Sequence, residues 1–290
     1  MVKTDKLRAF RPQIRSRHPS HSELRSKNGK VLPLLPFRSV IRFGSTTEMD
    51  DTIAKGGNRV ELNSTASIKN SSSKLLMKSC FKDKKVKTAI WSRSNDLKDI
   101  ISDLESQQEE GKSIYPIISK SLFGSRGRGN IKHDNYESLK EWSEGKSINM
   151  NNYIFEKFYN YTREYRLHVN KDGCFYTCRK MLKRDTPENA KWFRNDSNSV
   201  WILESNPDFD RPVNWNEVVK QSVNALNAVG LDFGAVDLRI QGSKNKDGKV
   251  RSNPNFIVVE INSAPSFGDI TKQKYIEELP KMLINKKNGK

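Results

Sequence analysis

The sequence predicts an α+β fold, and three features of the chain carry that prediction. Residues 233–240 and 256–261 are apolar, largely β-branched runs joined by turn-forming residues, a pattern typical of two strands in an antiparallel hairpin. An Asp-Gly pair at residues 172–173 marks a second hairpin between two further strand-like runs. Residues 216–229 carry apolar side chains at helical spacing and precede a glycine, so they are predicted to form an amphipathic helix.

The remaining elements follow from the same two periodicities, taken in chain order. Strands are predicted where short β-branched or aromatic runs are bounded by turn-forming residues: 39–43, 59–63, 86–91, 115–122, 152–158, 164–169 and 175–182. Helices are predicted where apolar residues recur every three or four positions: 66–81, 96–108, 136–144 and 270–283. Pro280 is expected to bend or end the last helix. Residues 183–214 are polar with scattered aromatics and are predicted to form a substrate-facing loop.

Composition and charge limit the class of protein. With 290 residues the chain is long enough for two domains, and 34% hydrophobic against 30% charged residues is a polar but globular balance. Its 52 Lys and Arg against 34 Asp and Glu leave a net charge of +18, which favours an anionic partner. Nucleic acid is a secondary candidate, because the basic residues are spread along the chain without a nucleic-acid-binding motif.

Neither a membrane span nor a secretory signal is predicted. No apolar run approaches the roughly 18 residues that a transmembrane helix needs, and the first residues lack an apolar signal core. A cytoplasmic protein is therefore expected. The three cysteines, Cys80, Cys174 and Cys178, include no second metal-binding pair and are expected to be free thiols.

Three polar side chains interrupt the apolar hairpin near the end of the chain. Asp237, Glu260 and Asn262 lie within or at the end of its strands, where a carboxylate needs a partner because desolvation of its charge is costly. Since side chains alternate along a strand, Glu260 and Asn262 share a face, and Asp237 can meet them from the neighbouring strand. Three oxygen donors on one face suit Mg²⁺. Asp237 alone is better explained by an ion pair with Arg239 or a lysine, whereas the trio favours the metal.

These residues resemble the metal-binding core of a known superfamily. The segments Gly234-Ala-Val-Asp237 and Val259-Glu-Ile-Asn-Ser-Ala-Pro265 look like the Asp and the Glu-x-Asn motif of ATP-grasp carboxylate-amine ligases. In that superfamily the Asp, Glu and Asn bind Mg²⁺ on the phosphates of ATP. The resemblance therefore implies metal-ligand roles for Asp237, Glu260 and Asn262, with Mn²⁺ as an alternative ion.

The resemblance extends to a phosphate-binding lysine and loop. Lys120 lies on a predicted strand that is followed directly by a glycine-rich sequence, residues 124–129. Glycines let the backbone approach an anion, although this pattern is not the P-loop, which needs Gly-Lys-Ser/Thr at the start of a helix. In the superfamily such a loop closes over the phosphates. The resemblance assigns nucleotide contacts to six residues here: Lys74, Lys120, Gly124, Ser125, Gly127 and Gly129.

The predicted strand at residues 152–158 resembles the superfamily hinge that contacts adenine. The likeness assigns Glu156, Lys157 and Phe158 to the base. Glu164 and Arg166 then resemble the acidic-x-Arg strand, in which the acid binds ribose and the arginine faces the phosphates. Taken alone, these two residues are better explained as a pair on one face of a sheet.

A basic residue on the following strand is expected to stabilise the transferred phosphate. Arg179 and Lys180 point to opposite faces of that strand, so only one of them can face the site. Arg has the better fork geometry for phosphate, but the sequence leaves the choice open. The nearby His168 is expected to be structural rather than a catalytic base.

The resemblance also implies a domain organisation and an activity. Residues 1–73 correspond to a short N-terminal preliminary domain on the substrate side, residues 74–158 to the small lobe, and residues 159–290 to the large lobe. The two α+β lobes of an ATP-grasp fold would clamp Mg-ATP and transfer its γ-phosphate to a substrate carboxylate. An amine would then displace phosphate from the acylphosphate and form an amide. Residues 41–44 and 61–64 resemble phage-encoded members, which would place the protein in a host cytoplasm.

Three other activities stay open at this point. A noncatalytic nucleotide-binding module would bind ATP without turnover. A basic nucleic-acid-binding protein would contact phosphates through lysine and arginine, with strong salt dependence. An ATP-grasp phosphotransferase, a less favoured route, would release a phosphorylated product instead of an amide. No motif in the sequence names the acid or the amine, or says whether either belongs to a small molecule or a peptide.

Overall fold

Three β-sheets organise the chain. The computed structural model describes residues 9–16, 18–24 (main chain alone at 22 and 23), 31–47, 59–122, 129–195 and 197–289. The first sheet is parallel, with strand order β1-β2-β3, and comprises β1 (Gln13–Ser16), β2 (Ser39–Phe43) and β3 (Val60–Leu62). The predictions of β2 and β3 are confirmed, whereas β1 was not predicted because its arginine-rich surroundings obscure a four-residue run.

The second sheet has four antiparallel strands in the order β4-β7-β5-β6. Its strands are β4 (Trp91–Ser92), β5 (Ile117–Ser121), β6 (Ile131–His133) and β7 (Tyr153–Lys157). The strand predicted at residues 86–91 is wrong except for its last residue. Thr88 instead makes an isolated parallel bridge with Val258 of the third sheet, and its hydroxyl donates to the Val258 carbonyl.

The third sheet carries the candidate site and has five antiparallel strands in the order β10-β9-β8-β11-β12. They are β8 (Arg163–Asn170), β9 (Gly173–Leu182), β10 (Ser199–Leu203), β11 (Phe233–Ile240) and β12 (Phe256–Asn262). Both predicted hairpins are confirmed by the pairing of β8 with β9 and of β11 with β12. β10 lies inside the segment predicted to be a loop, because its short β-branched run is flanked by long polar stretches.

Besides four short 3-10 helices, the described residues also form six α-helices. They are α1 (Thr65–Ser72), α2 (Lys74–Asp83), α3 (Leu97–Gln107), α4 (Tyr136–Ser143), α5 (Trp215–Val229) and α6 (Asp269–Lys287). The single helix predicted at 66–81 is two helices, because Ser73 has extended backbone and its side chain accepts a hydrogen bond from the Leu76 amide. α6 continues past Pro280, since Leu279 and Leu283 are buried on either side of the proline and hold both turns in place.

These elements confirm the predicted α+β class and leave one face of the third sheet for function. Its other face packs on α5 through Tyr165 and Leu167 of β8, Val236 and Leu238 of β11, and helix residues such as Leu226. Since side chains alternate along each strand, the residues between these core positions point to the opposite face. No helix in the described ranges has the length and hydropathy of a membrane span.

Asn63 fixes the first sheet against the start of β11. Asn63 has a positive φ of 61°, and its backbone amide donates to the Asp232 carboxylate at 2.7 Å. The Asp232 amide in turn donates to the Asn63 side-chain oxygen at 2.8 Å, and Lys286 of α6 reaches both Asp232 oxygens at 2.7 Å. Further along, Nε2 of the buried His21 donates to the Pro265 carbonyl at 2.7 Å. The N-terminal segment is thereby attached to the loop that follows Asn262.

Candidate active site

Five strands present charged and polar side chains on the face of the third sheet that lies opposite α5. In the register of the sheet, Arg166 of β8 lies opposite Asp237 of β11, and Asp237 lies opposite Glu260 of β12. Asn262 follows Glu260 by two residues on the same strand and therefore shares its face. The structure thus brings together the three predicted metal ligands and the predicted phosphate-facing arginine.

Short contacts join the three predicted metal ligands. The Asn262 side-chain amide lies 3.1 Å from a Glu260 carboxylate oxygen and 3.5 Å from a carboxylate oxygen of Asp237. Burial of Glu260 and the neighbouring charge of Asp237 raise the pKa of the Glu260 carboxyl, only partly offset by the hydrogen bond from Asn262. Two adjacent carboxylates in a buried place form a site that a cation stabilises.

Arg166 supplies a positive charge at this place in the structure. Its Nε and Nη2 donate to the two Asp237 oxygens at 2.7 and 2.8 Å. Burial opposes the charge of the guanidinium, but the contact with Asp237 outweighs burial and raises the pKa of Arg166. The ion pair expected for Asp237 alone is therefore present with a different partner, because Arg239 contacts Glu164 instead.

The donor set fits Mg²⁺. Two carboxylates and one amide oxygen are hard donors, and Mg²⁺ completes its shell with water and phosphate oxygens. A half-turn of the Asn262 amide would present its oxygen in place of the amide nitrogen that now faces the carboxylates. Within the described ranges no group of three or more His, Cys, Asp and Glu could hold a metal, since the third donor here is an amide.

A lysine-rich cluster surrounds Glu156 of β7. Lys120 donates to one Glu156 oxygen at 2.7 Å, and the Lys78 ammonium lies 3.3 Å from the other. Burial lowers the pKa of Lys78 to about 8, with partial compensation by Glu156. Burial also works against ionisation of Glu156, but the two lysines together outweigh it and lower the pKa of the carboxyl.

Lys74 belongs to the same electrostatic environment. Burial lowers the pKa of Lys74, and the charge of Glu260 acts on it in the opposite direction. The charge of Glu260 also acts to raise the pKa of Lys78. Together with the coupling of Lys120 to Glu260, these interactions bring the lysines of α2 and β5 into the electrostatic field of the Asp237, Glu260 and Asn262 cluster on β11 and β12.

The predicted ribose ligand, Glu164, is held by two arginines. Arg239 Nε lies 3.2 Å and Arg194 Nη1 lies 3.6 Å from Glu164 Oε2. Glu164 and Arg166 are therefore not paired with each other, as the simple same-face interpretation would have them. The Arg239 guanidinium also lies 5.5 Å from the ring centre of Phe158, which connects Glu164 to the hinge at the end of β7.

The hinge residues differ in their environments. The Glu156 side chain is buried in the lysine cluster, whereas the Lys157 side chain turns toward the Ser113 carbonyl and donates to it. Phe158 is buried, and its backbone amide donates to the Pro116 carbonyl at 2.7 Å. The backbone amide of Lys157 likewise donates to the Ile90 carbonyl at 3.1 Å.

The structure separates Arg179 from Lys180. Arg179 Nη1 donates to the Asp208 carbonyl at 2.6 Å, and the guanidinium lies over Tyr165 on the core face of the sheet. Lys180 lies opposite Glu164 in the register, on the face that carries Arg166, and donates to the Arg194 carbonyl at 3.2 Å. Lys180 is therefore the member of the pair that faces the candidate site.

Part of the predicted phosphate loop lies outside the described residues. Gly124, Ser125 and Gly127 are among the residues that the structure does not describe. Gly129 is described and has a positive φ of 75°, with Ser121 close to the position that a β-carbon would occupy. This backbone conformation and the close approach both favour glycine at that position.

Sequence reasoning missed several residues of this face. Lys78 was hidden in the apolar pattern of its helix, where a lysine four positions after Lys74 was the available signal. Arg194 and Trp201 were hidden in the segment predicted to be a loop. Trp201 lies on β10 opposite Lys180, with its ring within 5.2 Å of the Lys180 ammonium.

Comparisons with known proteins find solved structures with a similar fold. No protein-family model and no curated protein sequence matches the chain. The fold is similar to D-alanine–D-alanine ligase from Bacillus anthracis in complex with ATP, with a TM-score of 0.57 and 14% identity over 97% of this chain and 99% of that one. It is also similar to the ATP-grasp ligase PsnB with its minimal precursor, with a TM-score of 0.53 and 14% identity over 84% and 78% of the two chains.

A third similar structure is N5-carboxyaminoimidazole synthetase from Staphylococcus aureus in complex with ADP. Its TM-score is 0.52 and its identity 17%, over 78% of this chain and 54% of that one. At such identities the likeness concerns the fold.

Proposed function

The chain has the ATP-grasp fold, and from that premise we propose that it is an ATP-dependent carboxylate-amine ligase. The observation that carries the proposal is the convergence of Asp237, Glu260 and Asn262 on one face of the third sheet, with the Asn262 amide within 3.5 Å of both carboxylates. A fold alone does not define a reaction. A two-carboxylate, one-amide cluster in the electrostatic field of the α2 and β5 lysines gives the fold a place for Mg-ATP.

Asp237, Glu260 and Asn262 would hold Mg²⁺, which supplies neutralisation and orientation of the triphosphate when it is bound. Mn²⁺ has the same preference for oxygen ligands and would substitute. Lys74 and Lys120 would bind phosphate oxygens from the opposite side, whereas the buried Lys78 pairs with Glu156. We assign residues 74–158 and 159–290 to the two lobes of the clamp and residues 1–73 to the substrate side.

The rest of the face would bind the nucleoside and stabilise the transferred phosphate. Glu164 would accept hydrogen bonds from ribose hydroxyls while Arg194 and Arg239 hold its carboxylate in place. Backbone carbonyl oxygens of the hinge at residues 156–158 would contact the amino group of adenine, because the amides of Lys157 and Phe158 already donate to protein carbonyls. Arg166 and Lys180 would donate to the phosphoryl group during transfer, and such charged donors stabilise developing negative charge most strongly in a site that excludes water.

The reaction proceeds in two displacements. A substrate carboxylate oxygen attacks the γ-phosphorus, the bond to the β,γ-bridging oxygen breaks, and ADP leaves with that electron pair. An amine then attacks the acyl carbon of the acylphosphate, inorganic phosphate leaves, and the amine loses a proton to give the amide. Positioning and charge stabilisation suffice for both steps, so no nucleophilic side chain of the protein is required.

The substrates of the similar proteins suggest what to test. One similar ligase, by its name, joins D-alanine to D-alanine, and the other, PsnB, was also solved with a precursor peptide. We propose that the acid and amine of this chain come from the same range, an amino acid or a peptide. The net charge of +18 favours an acidic substrate within that range.

The test is ADP release by the purified protein with Mg-ATP and a panel of amino acids and acidic peptides. The proposal expects ADP release that requires both a carboxylate and an amine, with an amide as product by mass spectrometry. Glu260→Ala should abolish it, whereas Glu110→Ala, at an exposed glutamate of a loop, should not. A phosphorylated product without an amide, or turnover that survives Glu260→Ala, would exclude the ligase assignment.

A further inference from the structure

Trp201 is a large exposed aromatic residue on the face of the candidate site. It lies on β10, the edge strand of the third sheet, and 40% of the residue is exposed. In the register it lies opposite Lys180, which in turn lies opposite Glu164. A single exposed aromatic residue needs no explanation by itself, so the role of Trp201 depends on its neighbours.

Two cations of the site lie against this one ring. The Arg166 guanidinium carbon is 4.8 Å and the Lys180 ammonium 5.2 Å from the ring centre of Trp201. Both distances fall within the roughly 6 Å over which an aromatic face attracts a cation, and Trp is the strongest of the aromatic residues in this respect. The indole therefore restrains two positive charges that come from two different strands.

These contacts leave one nitrogen of Arg166, Nη1, for a ligand. Its Nε and Nη2 are used by Asp237 at 2.7 and 2.8 Å. Nη1 makes no hydrogen bond to any residue of the described ranges. A guanidinium that is held by a carboxylate and lies over an indole ring has few orientations left, so little further ordering is needed when it binds phosphate.

We infer that Trp201 is a positioning residue, which holds Arg166 and Lys180 in place for the phosphoryl group that is transferred. This inference rests on the proposed function and goes beyond it in assigning a role to a residue that touches neither metal nor reacting atoms. Its consequence is specific to the transfer step. Loss of the indole should affect binding of the transferring phosphoryl group more than binding of the nucleoside diphosphate.

The experiment compares two probes on the full chain by titration calorimetry: Mg-ADP alone and Mg-ADP with aluminium fluoride, which mimics the phosphoryl group in transfer. The variants are Trp201→Phe, which keeps an aromatic face, and Trp201→Leu, which keeps an apolar side chain without one. Val200→Ala is the matched control, because Val200 is the adjacent exposed residue of the same strand and points to the other face.

The inference expects Trp201→Leu to bind Mg-ADP within about threefold of the wild type and the aluminium fluoride complex about tenfold more weakly. Trp201→Phe should recover most of that loss, and Val200→Ala should match the wild type with both probes. Equal effects on both probes, no effect on either, or identical behaviour of the Phe and Leu variants would overturn the role of Trp201. Absence of Mg-ADP binding by the wild type would instead reject the proposed function on which it rests.

Discussion

Arg166 and Asp237 form a two-pronged ion pair across neighbouring strands, with donor-acceptor distances of 2.7 and 2.8 Å. Asp237 is also one of the three predicted metal ligands, so its carboxylate can bind either the Arg166 guanidinium or a metal ion. In the state described here the guanidinium supplies the counter-charge. In the proposed complex Asp237 would share its oxygens with Mg²⁺, and Arg166 would share its donors with phosphate.

Removing the Asp237 charge should destabilise the protein without ligand. Asp237→Asn leaves Arg166 without its counter-charge, with only 18% of the arginine side chain exposed. We expect a loss of about 2 kcal/mol in the free energy of unfolding, below the roughly 3 to 5 of fully buried pairs because both side chains retain solvent contact. Urea denaturation at pH 7 measures it. Glu277→Gln, which removes one charge of the exposed pair with Lys274, should leave the free energy of unfolding close to that of the wild type, and equal effects of both substitutions would contradict the prediction.

Removing the charge of Glu260, unlike that of Asp237, should not destabilise the protein without ligand. The pKa of Glu260 is raised in the folded state by burial and by Asp237, so the folded protein binds the proton more tightly than the unfolded chain. The stability of the ligand-free protein therefore falls as pH rises from the unfolded pKa through the folded pKa of this carboxyl. Glu260→Gln should remove that fall and match or exceed the wild type in stability at pH 7. A marked loss of stability in ligand-free Glu260→Gln would show that the carboxylate is satisfied without a cation.

Lys78 should give a pH dependence of stability on the alkaline side. Burial lowers its pKa to about 8, below that of an exposed lysine, so the unfolded chain binds the proton more tightly over this interval. Stability should therefore rise with pH from about 8 toward the unfolded pKa of lysine, near 10.4, relative to Lys78→Met. Chemical denaturation of both proteins across this range measures the difference. If the difference in unfolding free energy between the wild type and Lys78→Met stayed constant or shrank as the pH rose, Lys78 would not be a buried charged lysine.

Substitutions of Arg179 and Lys180 should have different effects, one on stability and the other on ligand binding. Lys180→Met removes a cation from the site face and should weaken binding of Mg-ADP with aluminium fluoride by at least about tenfold. Arg179→Met should leave that affinity within about threefold but lower stability, because the carbonyls of Asp208 and Phe209 lose a charged donor. Calorimetry and urea denaturation on the same preparations make the comparison. If Arg179→Met weakened binding and Lys180→Met lowered only stability, Arg179 would be the residue that faces the site.

The metal trio could be predicted from the sequence because it depends on local rules. Two adjacent strands joined by a turn, together with the alternation of side chains, are enough to bring Asp237, Glu260 and Asn262 to one face. The same alternation shows that Arg179 and Lys180 diverge, but the face that meets the site depends on which side α5 covers. That is a tertiary fact and could be read only from the structure.

Other residues of the site depend on longer-range packing. Lys78 of α2 meets Glu156 of β7 through tertiary packing, which no spacing in the sequence indicates. Arg194 and Trp201 lie in a segment whose polarity outweighs the five-residue signal of β10. The Arg166–Asp237 pair was missed for another reason: the resemblance assigns each residue to a ligand, whereas in the structure the two side chains contact each other.

The most direct test of the central claim is calorimetric titration of the purified chain with ADP in the presence and absence of Mg²⁺. The account predicts saturable binding at one site that requires Mg²⁺ and is lost in Glu260→Ala but kept in Glu110→Ala. Nucleotide binding that is indifferent to Mg²⁺ and to Glu260, or no binding at all, would contradict it.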